Sequence, residues 1–447
     1  MVRQAHHERT WFNWLIIETL RCARSRIVQF QTPRGTVDIL PEDRKYWDFV
    51  QSKAAEVASR FGYHRIDTPM FEDARLFERG VGSTTDIVEK ETYTFEDRGG
   101  DSLTLRAEGT APVCRAYLQH GMGNLPQPIR MYYICPVFRY ERPQSGRYRQ
   151  HTQFGIEVIG EADASVDAEV IEVGWRFLES VGLSELLLSI NSIGDKKCRP
   201  LYLEKLHSYY AGCRGQVCQD CLRRLERNPL RLLDCKEEQC QPLIEDAPVS
   251  SDNLCSECED HWDNLRAYLT EIGLDYQVER RLVRGLDYYS RTVFEIAPPE
   301  EGRMVTIVGG GRYDGLIEEL GGRPTPGIGY GMGLERVIRN IQRQNAPIPD
   351  EREPSAMVVH LGDAAKSTGI RIASGLRQAG ISASLAPPRG MRSQLRYASN
   401  TGATHAIIIG DDELAKGVAT LRDLDNSSQS EVPLGLLAEA LGADPVS

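Results

Sequence analysis

The chain has 447 residues, 41% hydrophobic and 26% charged, the ordinary balance of a soluble globular protein, here with room for roughly two to four domains. No stretch approaches the ~18 uninterrupted apolar residues of a membrane-spanning helix, and 53 Lys+Arg against 64 Asp+Glu, net −11, excludes a uniformly basic nucleic-acid coat but not a local basic site. Eleven cysteines are too sparse for a small disulfide scaffold, and seven of them lie between Cys213 and Cys258.

Residues 1–30 carry five Arg and only a short apolar run, Trp11–Ile17, broken by Asn13. That is no signal peptide. The segment reads as an extension of doubtful role or a mis-assigned start. From Asp43 a helical rhythm sets in: Trp47, Val50, Ala54, Val57, Ala58 and Phe61 fall at helical spacing, with Gly62 as C-cap. Strands are expected at Tyr63–Thr68, Glu91–Phe95, Ser102–Arg106, Ile129–Phe138 and His151–Ile159, separated by turn clusters. Hairpin-linked strands of this kind argue an antiparallel sheet flanked by helices, an α+β unit. Between 195 and 262 the texture turns to Cys, Arg and Glu, an inserted subdomain. Strands return at Leu282–Ile296, Met304–Val308 and Gly327–Gly331.

The organisation is therefore an extension at 1–30, a main domain at 31–345 and a Pro-rich linker at 346–354. Residues 355–447 form a small α/β domain, with strands at Ala356–Leu361, Ile381–Leu385 and His405–Ile409 and helices near Lys366–Gln378 and Ser393–Thr401.

Several segments carry chemistry. Gly327-Ile-Gly-Tyr-Gly-Met-Gly333 strips one strand face of side chains, because strand side chains alternate. Such a face either packs tightly against a helix or lets a flat ligand lie on the backbone at Gly329, Gly331 and Gly333, and Arg336 near the start of the next helix suits a phosphate. Phe138 to Gln150 joins two strands through a loop with Arg139, Arg142, Arg147 and Arg149, guanidinium forks that match phosphate. Cys218-x2-Cys221 and Cys255-x2-Cys258, with His261 beyond and Cys235 and Cys240 as two further candidates, either present four thiolates to a structural zinc or are reduced thiols. His120, His151, His207, His360 and His405 read as structural histidines. No GxSxG, HExxH or Walker loop occurs.

Taken with Gln31–Leu40 and Arg284-Gly-Leu-Asp-Tyr-Tyr289, these segments resemble the histidyl-tRNA synthetase family of class II aminoacyl-tRNA synthetases over more than nine-tenths of the chain. The resemblance implies a class II catalytic domain, a C-terminal anticodon-binding domain, a cytoplasmic homodimer joined through the segment ending at Pro69, and ligation of L-histidine to tRNA(His) with ATP and Mg²⁺. Residue by residue, it implies Arg139, Arg284 and Arg336 as catalytic, holding the α-phosphate, the transition state and the γ-phosphate, with Arg147, Gly329, Gly331 and Gly333 also on ATP. It implies Glu108, Gly109, Thr110 and Gln153 around the histidine amino group, Glu157, Tyr288 and Tyr289 on the imidazole, and Arg142 and Gln144 on the tRNA acceptor end. Ala107 and Ser83 depart from the family pattern at positions without chemistry. The family does not require zinc at the cysteines. The competing reading is a non-catalytic paralogue, a regulatory subunit of ATP phosphoribosyltransferase; that subunit generally lacks the equivalent of Arg284 and the last domain.

Overall fold

Helix α1 (Arg44–Arg60) buries Trp47, Val50, Ala54, Val57 and Ala58 along one stripe. It ends where Gly62 takes φ +77°, a left-handed turn that a side chain would resist. The computed structural model describes residues 30–82, 91–141, 148–299, 306–349 and 355–442. It divides into two units, the first ending at Ile348 and the second beginning at Pro349. The extension through residue 29, Ser83, and Arg142, Gln144 and Arg147 lie outside the described residues.

In the first unit α1 is followed by β1 (His64–Arg65), β2 (Phe71–Asp73), β3 (Tyr93–Glu96), β4 (Ser102–Leu105), α2 (Thr110–Gln119), β5 (Ile129–Phe138) and β6 (Gln150–Ile159). Then come α3 (Ala164–Ser180), β7 (Leu187–Ser192), and the insertion with α4 (Arg199–Gly212), α5 (Gln219–Arg227) and α6 (Ser256–Glu271). The unit closes with β8 (Gln277–Val278), β9 (Ser290–Ala297), β10 (Val308–Arg312), β11 (Gly327–Gly333) and α7 (Leu334–Gln344).

Eight strands form one sheet in the order β1-β5-β6-β11-β10-β9-β7-β8. The six central strands are antiparallel, and only the edge pairs β1·β5 and β7·β8 are parallel. The two faces of this sheet differ in chemistry. Phe154, Ile156 and Val158 of β6 with Ile328, Tyr330 and Met332 of β11 face the main core, which α1, α3, α6 and α7 cover. The alternate residues Gln153, Gly155 and Glu157 register with Gly333, Gly331 and Gly329, and β10 continues the strip with Gly309 opposite Gly331 and Gly311 opposite Gly329. One face is apolar and packed; the other is a glycine-rich floor.

At the end of β10 Arg312 is fully buried and forks onto Asp167 of α3, with Nε at 2.8 Å and Nη2 at 2.5 Å from Oδ1. The other Asp167 oxygen meets His261 Nε2 at 2.8 Å. The guanidinium holds the Asp167 carboxyl below its ordinary range although burial opposes this.

In the second unit β12 (Ser355–His360), α8 (Asp363–Gln378), β13 (Ser382–Leu385), α9 (Met391–Asn400) and β14 (His405–Ile409) form the expected βαβαβ order, with parallel pairing among the strands. An antiparallel hairpin, β15 (Val418–Asp423) and β16 (Gln429–Pro433), completes a five-stranded sheet. No helix among the described residues is long and apolar enough to cross a membrane.

Several expectations shift, among them the strand expected at Tyr63–Thr68, which pairs only at His64–Arg65. The strand expected from Leu282 pairs only from Ser290 onward; residues 282–289 form a loop on which Arg199 Nη2 binds the Tyr289 carbonyl at 2.6 Å. Of the strand expected at Met304–Val308, residues 304–305 lie outside the described residues, and the strand observed is Val308–Arg312, where three glycines slip between β9 and β11 because no side chain blocks the approach. The strand β7 and the β15–β16 hairpin had no expectation: β7 does not alternate cleanly, and β16 is largely exposed.

Candidate active site

The glycine floor opens into a cavity of about 340 Å³. Its walls include Glu108, Thr110, Arg139, His151, Gln153, Arg284, Tyr288, Tyr289, Glu295, Gly309, Gly331, Gly333, Glu335 and Arg336. Residues separated by more than 200 positions thus converge, and among them are three guanidinium groups.

Each Arg is aimed by a backbone or carboxylate contact. Arg139, just past the end of β5, donates from Nε to the Ala107 carbonyl at 2.8 Å. Arg336, in the first turn of α7, donates from Nη1 to the Thr306 carbonyl at 2.5 Å. Arg284 pairs with Glu295 of β9, which Thr306 Oγ1 also binds at 2.7 Å. The Arg284 side chain lies directly over Gly309: a Cβ there would sit 2.0 Å from Nη2. The insertion supports the same loop, since Arg231 donates to the Arg284 carbonyl at 3.3 Å and Asn228 to Asp287 at 2.7 Å.

The opposite wall is acidic and hydroxylic. Glu108 precedes α2 and accepts from the Thr110 and Ala111 amides at 2.6 and 2.8 Å, so its carboxylate sits on a helix N-terminus. Burial nevertheless raises its pKa. Gln153 Oε1 accepts from the Gly109 amide at 3.1 Å. Tyr288 and Tyr289 meet at a tilt of 56° with ring centres 4.7 Å apart, and Tyr288 meets the Tyr313 ring edge-on at 5.9 Å.

Glu157 differs from the placement expected for an imidazole contact. It is fully buried behind this wall, its Oε1 accepting from Thr110 Oγ1 at 2.7 Å and its Oε2 from Tyr313 OH at 2.6 Å. Burial pushes its carboxyl up to about 8, against the lowering effect of those two hydroxyls. Gly109 is likewise capped by the Tyr133 ring, and Gly329 by Glu157; a Cβ at either would lie 2.3 or 2.0 Å from them. The glycine strand is therefore only partly a bare bed for a ligand. Tyr313, Glu157 and Gln153 fill the space over Gly327, Gly329 and Gly331, and only Gly331 and Gly333 reach the cavity.

Sequence reasoning missed five residues here. His151, read as structural, lines the cavity, and burial followed by Arg139 and Arg336 holds its pKa down to about 3, so it is neutral. Tyr313 follows the Gly-Gly-Gly-Arg run of β10, a signal that was available. Asp234 and Lys236 reach the cavity from the insertion, which no local pattern announces. Glu335 completes the wall: Oε1 accepts from the Thr152 amide at 2.7 Å, and burial pushes the carboxyl up to about 7.

The cysteines correct a further expectation. Cys218, Cys221, Cys255 and Cys258 do not converge as one set. Cys218 and Cys221 group with Cys235 and Cys240, whereas Cys255 and Cys258 group with Asp195 and Cys198. His261 belongs to neither, being held by Asp167. The reason is topological: each CxxC opens a different helix, α5 and α6.

Comparison with known proteins agrees with this layout. Residues 35–195 and 224–337 match the family model described as histidyl-tRNA synthetase, and residues 355–443 match that of an anticodon binding domain. A histidine–tRNA ligase of Dehalococcoides mccartyi strain 195 is 54% identical over 91% of this chain and 98% of its own length. One from Acetivibrio thermocellus is 43% identical over 92% and 99%. The crystal structure of apo histidyl-tRNA synthetase from S. aureus superposes with a TM-score of 0.79 at 36% identity, over 92% of this chain and 99% of that one. On this identity and coverage, and on the family match across its first unit, the chain belongs to the histidyl-tRNA synthetase family.

Proposed function

We propose that the chain ligates L-histidine to tRNA(His), using ATP, in two steps. A carboxylate oxygen of histidine attacks the α-phosphorus of ATP, forming histidyl-adenylate as the bond to pyrophosphate breaks. A ribose hydroxyl of the terminal tRNA adenosine then attacks the acyl carbon and AMP leaves. The observation that carries this reading is the convergence of Arg139, Arg284 and Arg336 on one cavity whose other wall holds Glu108, Thr110, Gln153, Tyr288 and Tyr289.

Attack at phosphorus gathers negative charge on the phosphate oxygens, and fixed guanidinium groups stabilise it without reorganising. Arg139 holds the α-phosphate, Arg336 the γ-phosphate, and Arg284, braced by Glu295, meets the charge that develops between them. Glu108, Thr110 and Gln153 take the amino group of histidine. Tyr288 and Tyr289 take its imidazole, with Glu157 holding Thr110 and Tyr313 in place behind them. Arg142, Gln144 and Arg147 belong to the loop that meets ATP and the tRNA acceptor end. The residues fit Mg²⁺: the buried Oε2 of Glu335 has no hydrogen-bond partner, and carboxylate oxygens are the donors this ion takes. Glu335 would hold it beside Arg336, where the ion supplies further neutralisation of phosphate charge. The second unit binds the anticodon, and the working form is a cytoplasmic homodimer. A non-catalytic paralogue would have no use for Arg284 in the cavity or for the segment at 355–443 that matches the anticodon binding domain.

The test is ATP–pyrophosphate exchange with each amino acid in turn, wild type beside Arg284→Ala. Exchange with histidine alone, reduced by about 10²-fold or more in the variant, is expected. Folded protein that exchanges with no amino acid, or equally with several, overturns the reading.

A further inference from the structure

The insertion has its own small core, built on Tyr202, Leu206, Tyr210, Leu225 and Leu232, and the thiols of Cys221, Cys235 and Cys240 are buried in it. A core this small is the kind that a metal ordinarily staples. Cys218, Cys221, Cys235 and Cys240 bring their sulfurs within 4.8 Å of one another. The Cys218–Cys235 and Cys221–Cys240 pairs are 3.8 and 3.9 Å apart, and all four cysteines are free. Four thiolates around Zn²⁺ at ~2.3 Å stand about 3.8 Å apart along the edges of the tetrahedron. Two backbone amides already point at the sulfurs: Cys221 N–H at Cys218 Sγ, 3.4 Å, and Cys218 N–H at Cys240 Sγ, 3.3 Å. Donors of that kind stabilise thiolate charge.

We propose that Cys218, Cys221, Cys235 and Cys240 bind one structural Zn²⁺, and that this ion holds the wall of the active-site cavity. The link is Cys235 itself. Its neighbours on either side, Asp234 and Lys236, line the cavity, while its own sulfur turns inward to the cluster. Arg231 and Asn228, between the second and third ligands, hold the loop of Arg284 through its carbonyl and Asp287. A zinc here fixes the segment 228–236 from both ends, and with it the Arg284 loop. The soft all-sulfur, tetrahedral donor set selects zinc over Mg²⁺. The positioning role rests on the proposed adenylation activity; the metal site does not.

The experiment is metal analysis of the full chain after dialysis against metal-free buffer, beside Cys235→Ser, Cys240→Ser, Cys240→His and, as control, Cys213→Ser. One zinc per chain is expected that both Cys→Ser variants at 235 and 240 lose and that Cys213→Ser and Cys240→His retain. Cobalt exchanged into the wild type should show thiolate charge-transfer absorption, weakened in Cys240→His in proportion to the thiolate removed. This second variant keeps the test valid where a Ser variant fails to fold. Zinc retained by Cys235→Ser and Cys240→Ser alike, iron in place of zinc, or four thiols oxidised to disulfides without metal overturns the site. Histidine-dependent exchange by the zinc-loaded wild type tests the activity separately. If that activity stands, removing the zinc should lower kcat/KM by roughly 10²-fold, the scale of a misplaced catalytic group. Unchanged kcat/KM in zinc-free protein overturns the positioning role.

Discussion

Glu157 shows how one buried carboxyl can organise a wall it does not line. Its two oxygens hold Thr110 of α2 and Tyr313 beyond β10, so two segments about 200 residues apart meet on one side chain. Burial pushes its pKa up to about 8 from the 4.5 of an ordinary Glu carboxyl. The sign of the pH effect follows from proton counting. Between those two values the unfolded chain has released this proton and the folded chain retains it, so stability is fully present below about pH 4.5 and declines as pH rises towards 8, by up to about 1.4 kcal/mol per pH unit. Urea-unfolding midpoints measured across that range should fall with pH in the wild type, and Glu157→Gln should flatten the slope. Equal slopes in the two proteins would refute it. At this scale the sequence was legible only through resemblance: Glu157 and Thr110 were singled out, but a contact to Tyr313 is set by strand register, which single residues do not reveal.

At the scale of elements, β11 and β10 explain why glycine recurs. The alternating glycines of Gly327–Gly333 were readable as one bare strand face. Their use was not, because what fills the space comes from neighbouring chain segments. The atoms nearest a Cβ at Gly331 belong to the Gln153 side chain, 2.1 Å away at its amide nitrogen, whereas a Cβ at Gly329 would lie 2.3 Å from the Ile156 carbonyl as well as 2.0 Å from Glu157. A side chain can swing aside and a ladder carbonyl cannot. Gly331→Ala should therefore keep the stability of the fold and raise KM for histidine, read by ATP–pyrophosphate exchange. Gly329→Ala should lower stability by roughly 1–3 kcal/mol, read by urea unfolding. The reverse pattern would refute this reading of the floor. The same logic accounts for the misplaced strand at 304–308. Gly309–Gly311 has little strand propensity of its own and becomes a strand because β9 and β11 supply partners on both sides.

For the whole molecule, the division at Ile348 separates two units. The second has apolar clusters of its own on the two faces of its sheet, one around Val358, Ile407 and Ile409 and the other around Val359, Ala406 and Ile408. Residues 355–447 expressed alone should therefore unfold in one cooperative transition by circular dichroism; a non-cooperative melt would show that this core is not self-sufficient. Periodicity and short motifs are local properties of the chain, so they marked most of the helices and several strands and, through the family resemblance, the three Arg that meet in the cavity, but not β7, the bounds of β10 or the β15–β16 hairpin. Packing settled which residues share a wall: His151, Asp234 and Lys236 line it, Glu157, Tyr313 and Gly329 lie behind it, and the cysteines regrouped. Each of those outcomes depends on strand register or on helices meeting across long stretches of chain, and such pairings are selected by packing and by the partnering of buried polar groups rather than by any neighbour in sequence.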